Sequence, residues 1–509
     1  MPEITAFLAG ALVMILEMSG ARVLAPHVGT SAIVWTSLIG VVLACLAVGS
    51  WAGGRLADKK LSAPCLAAIL AACGLGCSLT AFSHAAIGRA ISNAGNLYVN
   101  AVLGATFIYA LPAFFFGMVT PYVIRLKLAS LATAGATVGR LYALSTAGSI
   151  LGTFLGGFIL ISWFSSSDIL WGLAIALFLL SFANYPRKPW LRLCLLALIV
   201  FFAWQDHAFA RWQEGKGGQR LIESPYNSIR LMEGIDHSRG DEAVRLMATD
   251  PGYTQSGMLK NDPRELYFDY TRFYALGPKN VPDARSALML GGGGYSVPKW
   301  LLSSKSPFGD RKDFELTVVE LDPAMTETAE KWFGLEKDRR MKIVHEDARA
   351  FLNRNTEKYD LIFVDVFNSH YSIPFQMGTK EAVRKMRDAL SENGALLMNI
   401  ISAIDGEDGR LFRSIYANLA SEFEEVKIYC VGQPGQPDKI QNLMVLALPQ
   451  KNSEVGEKED IFIHNALSPD MREIANMEKH LHSAPVAMDV PPLGDEYAPV
   501  ERYTLMLSR

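Results

Sequence analysis

Apolar and polar positions are divided very unevenly along this chain, and the change falls near residue 206. Before it, mostly apolar runs recur near 4–25, 32–54, 63–83, 98–124, 138–163, 168–184 and 190–206. Most approach the roughly 20 residues that a helix needs to cross a bilayer. The pattern predicts a multi-span α-helical transmembrane bundle of about seven helices over residues 1–206. The first run is not read as a signal peptide, because Met1-Pro2-Glu3 carries no basic region and further spans follow.

After residue 206 the texture turns to alternation and turns. Segments 219–232, 243–249 and 253–259 read as short strands, with Asp250-Pro251-Gly252 as a turn between two of them. They predict a small β-rich domain over 207–280. Further strands are expected at Ala287–Leu290, Leu316–Leu321, Lys342–His345, Asp360–Val366 and Ala395–Ile400. Helical stretches such as Ala324–Trp332 and Lys380–Leu390 separate them. Strand–helix alternation of this kind predicts a Rossmann-like α/β domain over 281–509. Within it Lys451–Asp460 reads as a solvated loop.

Charge follows the same division. Of 48 Lys and Arg, eleven fall in the first 200 residues, between the apolar runs. A net charge of −3 supplies no basic field, so nucleic acid is not expected as a partner. Five of the six cysteines lie in apolar segments and Cys430 stands alone in the second half. None has zinc spacing, and no metal site is expected.

With an inside N-terminus, the inner loops hold nine Lys and Arg and the outer loops only Arg22 and Arg89. Seven crossings from that start would leave the second half outside. The nucleotide-type substrates argued below instead favour the cytoplasm, on an inner membrane. Gly148, Gly152 and Gly156, like Gly49 and Gly53, recur every four residues and suit close helix packing. Glu17 lies inside the first span, either as a functional acid or paired with Arg22 or a neighbouring helix.

The second half carries chemistry at strand ends, where ligands of doubly wound sheets bind. Gly291-Gly292-Gly293-Gly294 follows the first strand and permits a tight turn against a ligand. Glu320 closes the second strand, where an acid commonly holds ribose hydroxyls. Glu346-Asp347-Ala348 follows the third, at the position of an adenine edge. Asp365 ends the fourth. Tyr295 and Ser296 after the glycines break the G-x-G-x-x-G count of a dinucleotide site. An adenosine-type ligand remains. His237 reads as solvated, His345 as either pocket or core, and Tyr295 as either a ligand cover or packing.

Five stretches carry a resemblance: Glu223-Ser224-Pro225-Tyr226-Asn227-Ser228-Ile229, Thr249 to Gly257, Leu288 to Gly293, Val319-Glu320-Leu321-Asp322 and Asp360 to Asp365. Together they resemble the spermidine synthase family, in the form where a multi-span half precedes the catalytic domain. The tail Asp495-Glu496-Tyr497-Ala498-Pro499-Val500 is similar to that branch as well. The resemblance implies a β-domain before a Rossmann-like domain. It also implies aminopropyl transfer from decarboxylated S-adenosylmethionine to putrescine, releasing methylthioadenosine.

By the same resemblance, Gln255, Gly291, Gly292, Gly293, Glu320, Asp347 and Ala348 would bind the donor. Asp365 would be the base, with Tyr270 beside it; Tyr267 is the less well spaced alternative. Tyr267, Arg272 and Asn368 would line the amine side. Three positions depart from the family: Gly294 replaces an acid of the glycine loop, Asn368 a second acid after Asp365, and Arg272 an acid after the tyrosine. An arginine there could hold a carboxylate, so cleavage of intact S-adenosylmethionine without an acceptor stays open beside aminopropyl transfer. A transporter or sensor that binds an adenosyl ligand stays open too. The expected partners are these small molecules and the lipid membrane, with no cofactor beyond the donor; homo-oligomerisation is left open.

Overall fold

The computed structural model describes all residues except 30, 92–96, 129–133, 188–195, 198, 206–207, 209–219, 250–253, 367–373, 451–476, 478, 501–502 and 504–509. The chain divides into two compact units. Met1–Gly218 with Glu223–Ser228 form the first, and Gln219–Ile222 with Ile229–Arg509 the second.

The first unit is helical: α1 (Pro2–Val28), α2 (Ala32–Lys59), α3 (Ala63–Ile91), α4 (Leu97–Lys127), α5 (Ala134–Trp163) and α6 (Ser166–Asn184). Each is long and apolar enough to cross a membrane. Of the seventh expected run, 190–206, residues 196–197 and 199–205 are described and helical, and the rest lie outside the described residues. α5 widens into a π-helical turn over Leu155–Leu160. The recurring glycines are used for contact. A Cβ at Gly148 would lie 1.9 Å from the Phe7 carbonyl oxygen, and one at Gly152 would lie 2.2 Å from that of Ala11. Only a bare backbone lets α1 and α5 approach so closely. Arg22 pairs with Glu223 at 3.0 Å and donates to the Ile161 and Phe164 carbonyls.

The second unit opens with a four-stranded sheet in the order β1 (Arg220–Glu223), β2 (Ser228–Asp236), β3 (Glu242–Ala248), β4 (Ser256–Leu259). The expected strand 219–232 is broken at residues 224–227. Ser224 Oγ accepts from the Tyr226 and Asn227 amides, and Pro225 has no N–H to give a ladder.

A seven-stranded sheet follows, in the order β10-β11-β9-β8-β5-β6-β7. Its strands are β5 (Ser286–Leu290), β6 (Glu315–Glu320), β7 (Met341–His345), β8 (Tyr359–Val364), β9 (Leu390–Ser402), β10 (Glu425–Cys430) and β11 (Gln441–Leu448). Strands β5 to β9 run parallel, and the β10–β11 edge is antiparallel. The apolar runs of the central strands β5 and β8 are buried on both faces, as the middle of a sheet covered by helices on both sides requires.

From β5 the chain winds one way to β6 and β7, then returns to β8 on the other side of β5. This reversal leaves a crevice beyond the ends of β5 and β8. Ile229, Leu231, Met247 and Met258 of the small sheet share one core with Met289 and Phe363 of the large one and with Tyr295 and Phe333 beside it. That shared packing fixes the start of β4 beside the crevice.

Candidate active site

Residues that are distant in sequence meet at this crevice. Leu290 at the end of β5 pairs with Val364 at the end of β8, so the next residues, Gly291 and Asp365, lie side by side. The Asp365 amide donates to the Leu290 carbonyl at 2.9 Å. Gly291 has φ +93, and a Cβ there would sit 2.4 Å from the Asp365 carbonyl oxygen. Both facts demand glycine.

The glycine loop is clamped from behind by Glu320. One carboxylate oxygen accepts from the Gly292 amide at 2.8 Å and the Gly293 amide at 3.1 Å, while the other accepts from Asp322 at 2.9 Å. Burial pushes the Glu320 carboxyl up, and the three amides act against that shift. Tyr295, with φ +55, closes the loop. Its ring packs on Gly292 and its hydroxyl bonds Thr326 Oγ1 at 2.7 Å, which in turn meets His345 Nε2 at 2.9 Å. Tyr295 and His345 are therefore structural supports of the loop.

The opposite wall is the segment leading into β4. Ser256 Oγ accepts from the Gly294 amide at 2.9 Å. Gln255 is oriented by Thr249, whose hydroxyl donates to its side-chain oxygen at 2.9 Å. Between these walls lies a narrow cleft that is partly open to solvent. Gln255, Ser256, Gly292, Gly293, Gly294, Phe268, Tyr270 and Asp365 are among its lining residues.

Asp365 is the acidic group among the described lining residues. The Tyr270 hydroxyl donates to its Oδ2 at 3.4 Å, and the Asn399 amide donates to its Oδ1 at 3.1 Å. The surrounding protein excludes water and raises its carboxyl above the ordinary range, against the pull of Asn399, Tyr270 and Tyr274. Burial, and then the nearby Asp365 charge, push the Tyr270 phenol up, so it stays a donor. A carboxylate shifted toward neutrality, open to a cleft, is suited to take a proton.

Asp365, Tyr270, Gln255, Gly292 and Gly293 thus come together, with Gly291 and Glu320 directly behind them. The other expected site residues stand elsewhere. Asp347 caps the helix Ala348–Arg354 by accepting from the Ala350 amide, and neither it nor Ala348 lines the cleft. Tyr267 donates to Asp236 at 2.9 Å with its ring against Gly257. The Arg272 guanidinium donates to the Leu266 carbonyl and pairs with Asp269 at 3.6 Å, away from the cleft lining. Asn368 lies outside the described residues. Sequence reasoning missed Ser256 and Asn399. A polar residue inside the apolar run Ala395–Ile400 was the available signal for the second.

Residues 275–457 match the spermine/spermidine synthase domain. The chain is 28% identical over 224 residues to a polyamine aminopropyltransferase of Vibrio vulnificus, covering 42% of this chain and 69% of that one. It is 30% identical over 236 residues to a probable polyamine aminopropyl transferase of Bifidobacterium longum, covering 45% of this chain and 48% of that one. Among solved structures, a probable spermidine synthase from Corynebacterium glutamicum aligns with 20% identity and a TM-score of 0.42, over 55% of this chain and 97% of that one.

Proposed function

We propose that this chain, whose second half carries a spermine/spermidine synthase domain, is a membrane-bound aminopropyltransferase-type enzyme. It moves an aminopropyl group from an adenosyl sulfonium donor to putrescine or a related amine and releases methylthioadenosine. One observation carries the reading: a raised carboxylate, Asp365, stands between the glycine loop and Tyr270 in a single cleft.

The chemistry asks little more of the protein. The amine lone pair attacks the carbon next to sulfur, the C–S bond breaks, and its electron pair neutralises the sulfonium. The leaving group needs no acid. The nucleophile must lose a proton, which Asp365 accepts as general base. Tyr270 holds that carboxylate in place, Gln255 supplies a polar contact for the donor, and the bare backbone of the glycine loop lets the donor lie close. No cofactor beyond the donor is required. The six apolar helices anchor the enzyme in a cell membrane.

A second reading, acceptor-independent cleavage of intact S-adenosylmethionine, is favoured by one fact. The described cleft lining holds a single carboxylate for substrates that would bring several positive charges. A product assay on detergent-purified protein separates the two. Methylthioadenosine and spermidine, both dependent on putrescine and the decarboxylated donor, support transfer. Methylthioadenosine without an acceptor supports cleavage. Binding without any product would refute both and leave a sensor or transporter.

A further inference from the structure

Asp365 is connected to a line of side chains that the reaction itself does not use. Val364 of β8 pairs with Met398 of β9, which places Asn399 beside Asp365. On the other edge of β9, Asn399 faces Met444 of β11 and Ile401 faces Asn442. Asn399 and Asn442 are therefore diagonal neighbours on one face of the sheet, within reach of each other. Asn442 Nδ2 donates to Asn399 Oδ1 at 3.0 Å, and Asn399 Nδ2 donates to Asp365 Oδ1 at 3.1 Å. Asn399 is only 2% exposed, so its polar atoms depend on these partners rather than on water.

We infer that Asn399 and Asn442 are positioning residues, a two-amide relay that turns Asp365 toward the cleft and favours its ionised form. The inference rests on Asp365 being the base of the proposed reaction.

The direction of the relay follows from the chemistry of its ends. An ionised carboxylate only accepts, so Asn399 must present nitrogen to Asp365 and oxygen away from it. That outward oxygen needs a donor, and the Asn442 amide is the donor supplied. Without Asn442, the Asn399 amide is free to rotate and offer its oxygen, an arrangement that only a protonated Asp365 could satisfy. With Asn399 donating to Oδ1 and Tyr270 to Oδ2, both oxygens of a carboxylate that lines the cleft are restrained. The Asn399 hydrogen bond also opposes the upward push of burial on Asp365. A charged residue at 399 would either neutralise the base or repel it. An apolar residue there would leave Oδ1 unsatisfied.

The test measures methylthioadenosine release by the purified full chain across pH, together with methylthioadenosine affinity as a check on folding and on the nucleoside site. Asn399→Leu is expected to lower kcat about tenfold and to move the acid limb of kcat/KM upward by about one pH unit, the equivalent of one hydrogen bond to a charge. KM for the donor and methylthioadenosine affinity should stay within about twofold of wild type, as transition-state-only effects do. Asn442→Leu should move the limb the same way by less. Asn442→Asp should be more severe than Asn442→Leu, because the new carboxylate draws the Asn399 nitrogen away and turns its oxygen onto Asp365.

The relay is overturned if Asn399→Leu keeps the wild-type kcat and acid limb, or if Asn442→Asp is no worse than Asn442→Leu. Should Asn399→Leu fail to fold, the Asn442 pair decides. If the wild type releases no methylthioadenosine with any donor, the transfer reading falls on its own. The relay is then judged by difference infrared titration of the Asp365 carboxyl, whose midpoint Asn399→Leu must still raise.

Discussion

Replacing Gly294 with alanine tests how tightly the glycine loop is set against the segment that leads into β4. A Cβ at this position would lie 2.8 Å from Ser256 Cβ, 3.2 Å from Ser256 Oγ and 3.2 Å from Phe333 Cδ1. The nearest of these is about 0.6 Å short of the 3.4 Å at which ordinary contact begins. Its owner sits in a strand and cannot swing aside. Gly294 is absent from the residues with positive φ, so alanine brings no backbone strain and the effect is steric alone. Overpacking of a buried site costs about 1–3 kcal/mol. Replacing glycine by alanine returns about 0.4–1 kcal/mol through the unfolded chain. A net loss of about 1–2 kcal/mol follows, and at about 2–4 °C per kcal/mol the thermal midpoint should fall by about 2–8 °C. Methylthioadenosine affinity should fall several-fold, because the loop and Ser256 both line the cleft.

The assay is thermal unfolding and nucleoside binding on Gly294→Ala, alone and combined with Ser256→Gly or Ser256→Ala. Since the closest atom is Cβ rather than Oγ, Ser256→Gly should relieve the clash and Ser256→Ala should not. Each single change must be measured, because Ser256→Gly also removes the acceptor of the Gly294 amide. The favourable coupling energy is what counts. A Gly294→Ala protein with an unchanged midpoint and affinity would refute the reasoning, as would equal coupling in both combinations.

Other expectations follow from the same geometry. Asp365→Asn should reduce turnover by about 10²–10⁴ while leaving methylthioadenosine affinity intact, measured as kcat beside a binding isotherm. Because the folded Asp365 carboxyl is raised, it becomes protonated above the ordinary carboxylate pKa of about 3.9. Activity should therefore decline as pH falls through a limb lying above that value, and Asp365→Asn should abolish the limb. Tyr295→Phe removes a buried hydroxyl bond and should cost about 1–2 kcal/mol in thermal unfolding, leaving the loop looser and the nucleoside weaker bound. Gly152→Leu would drive a side chain into the Ala11 carbonyl, and should cut the yield of monodisperse protein on gel filtration in detergent.

Much of this protein was legible in its amino-acid order. Apolar runs near bilayer length predicted α1 to α6, because the length and hydropathy of a run are set by composition and not by partners. The strands of the large sheet were readable from short apolar runs, and Leu316–Leu321 and Lys342–His345 were each met within a residue or so at either end. Glycines after β5 and acids at the ends of β6 and β8 were visible as well, since chain order and strand ends are one-dimensional facts.

What the order of residues could not decide was which side chains meet. Tyr267 and Tyr270 are three apart, yet Tyr267 turns to Asp236 and Tyr270 to Asp365. Glu320 spends its oxygens on the amides of Gly292, Gly293 and Asp322, a consequence of how β6 lies beside β5. The contact of Gly294 with Ser256 joins positions 38 apart. Asn399 and Asn442 became partners of Asp365 only through the register of β8, β9 and β11. Hydropathy is a property of each residue and survives in the sequence. Register and side-chain direction belong to pairs of strands, and exist only once the sheet has formed.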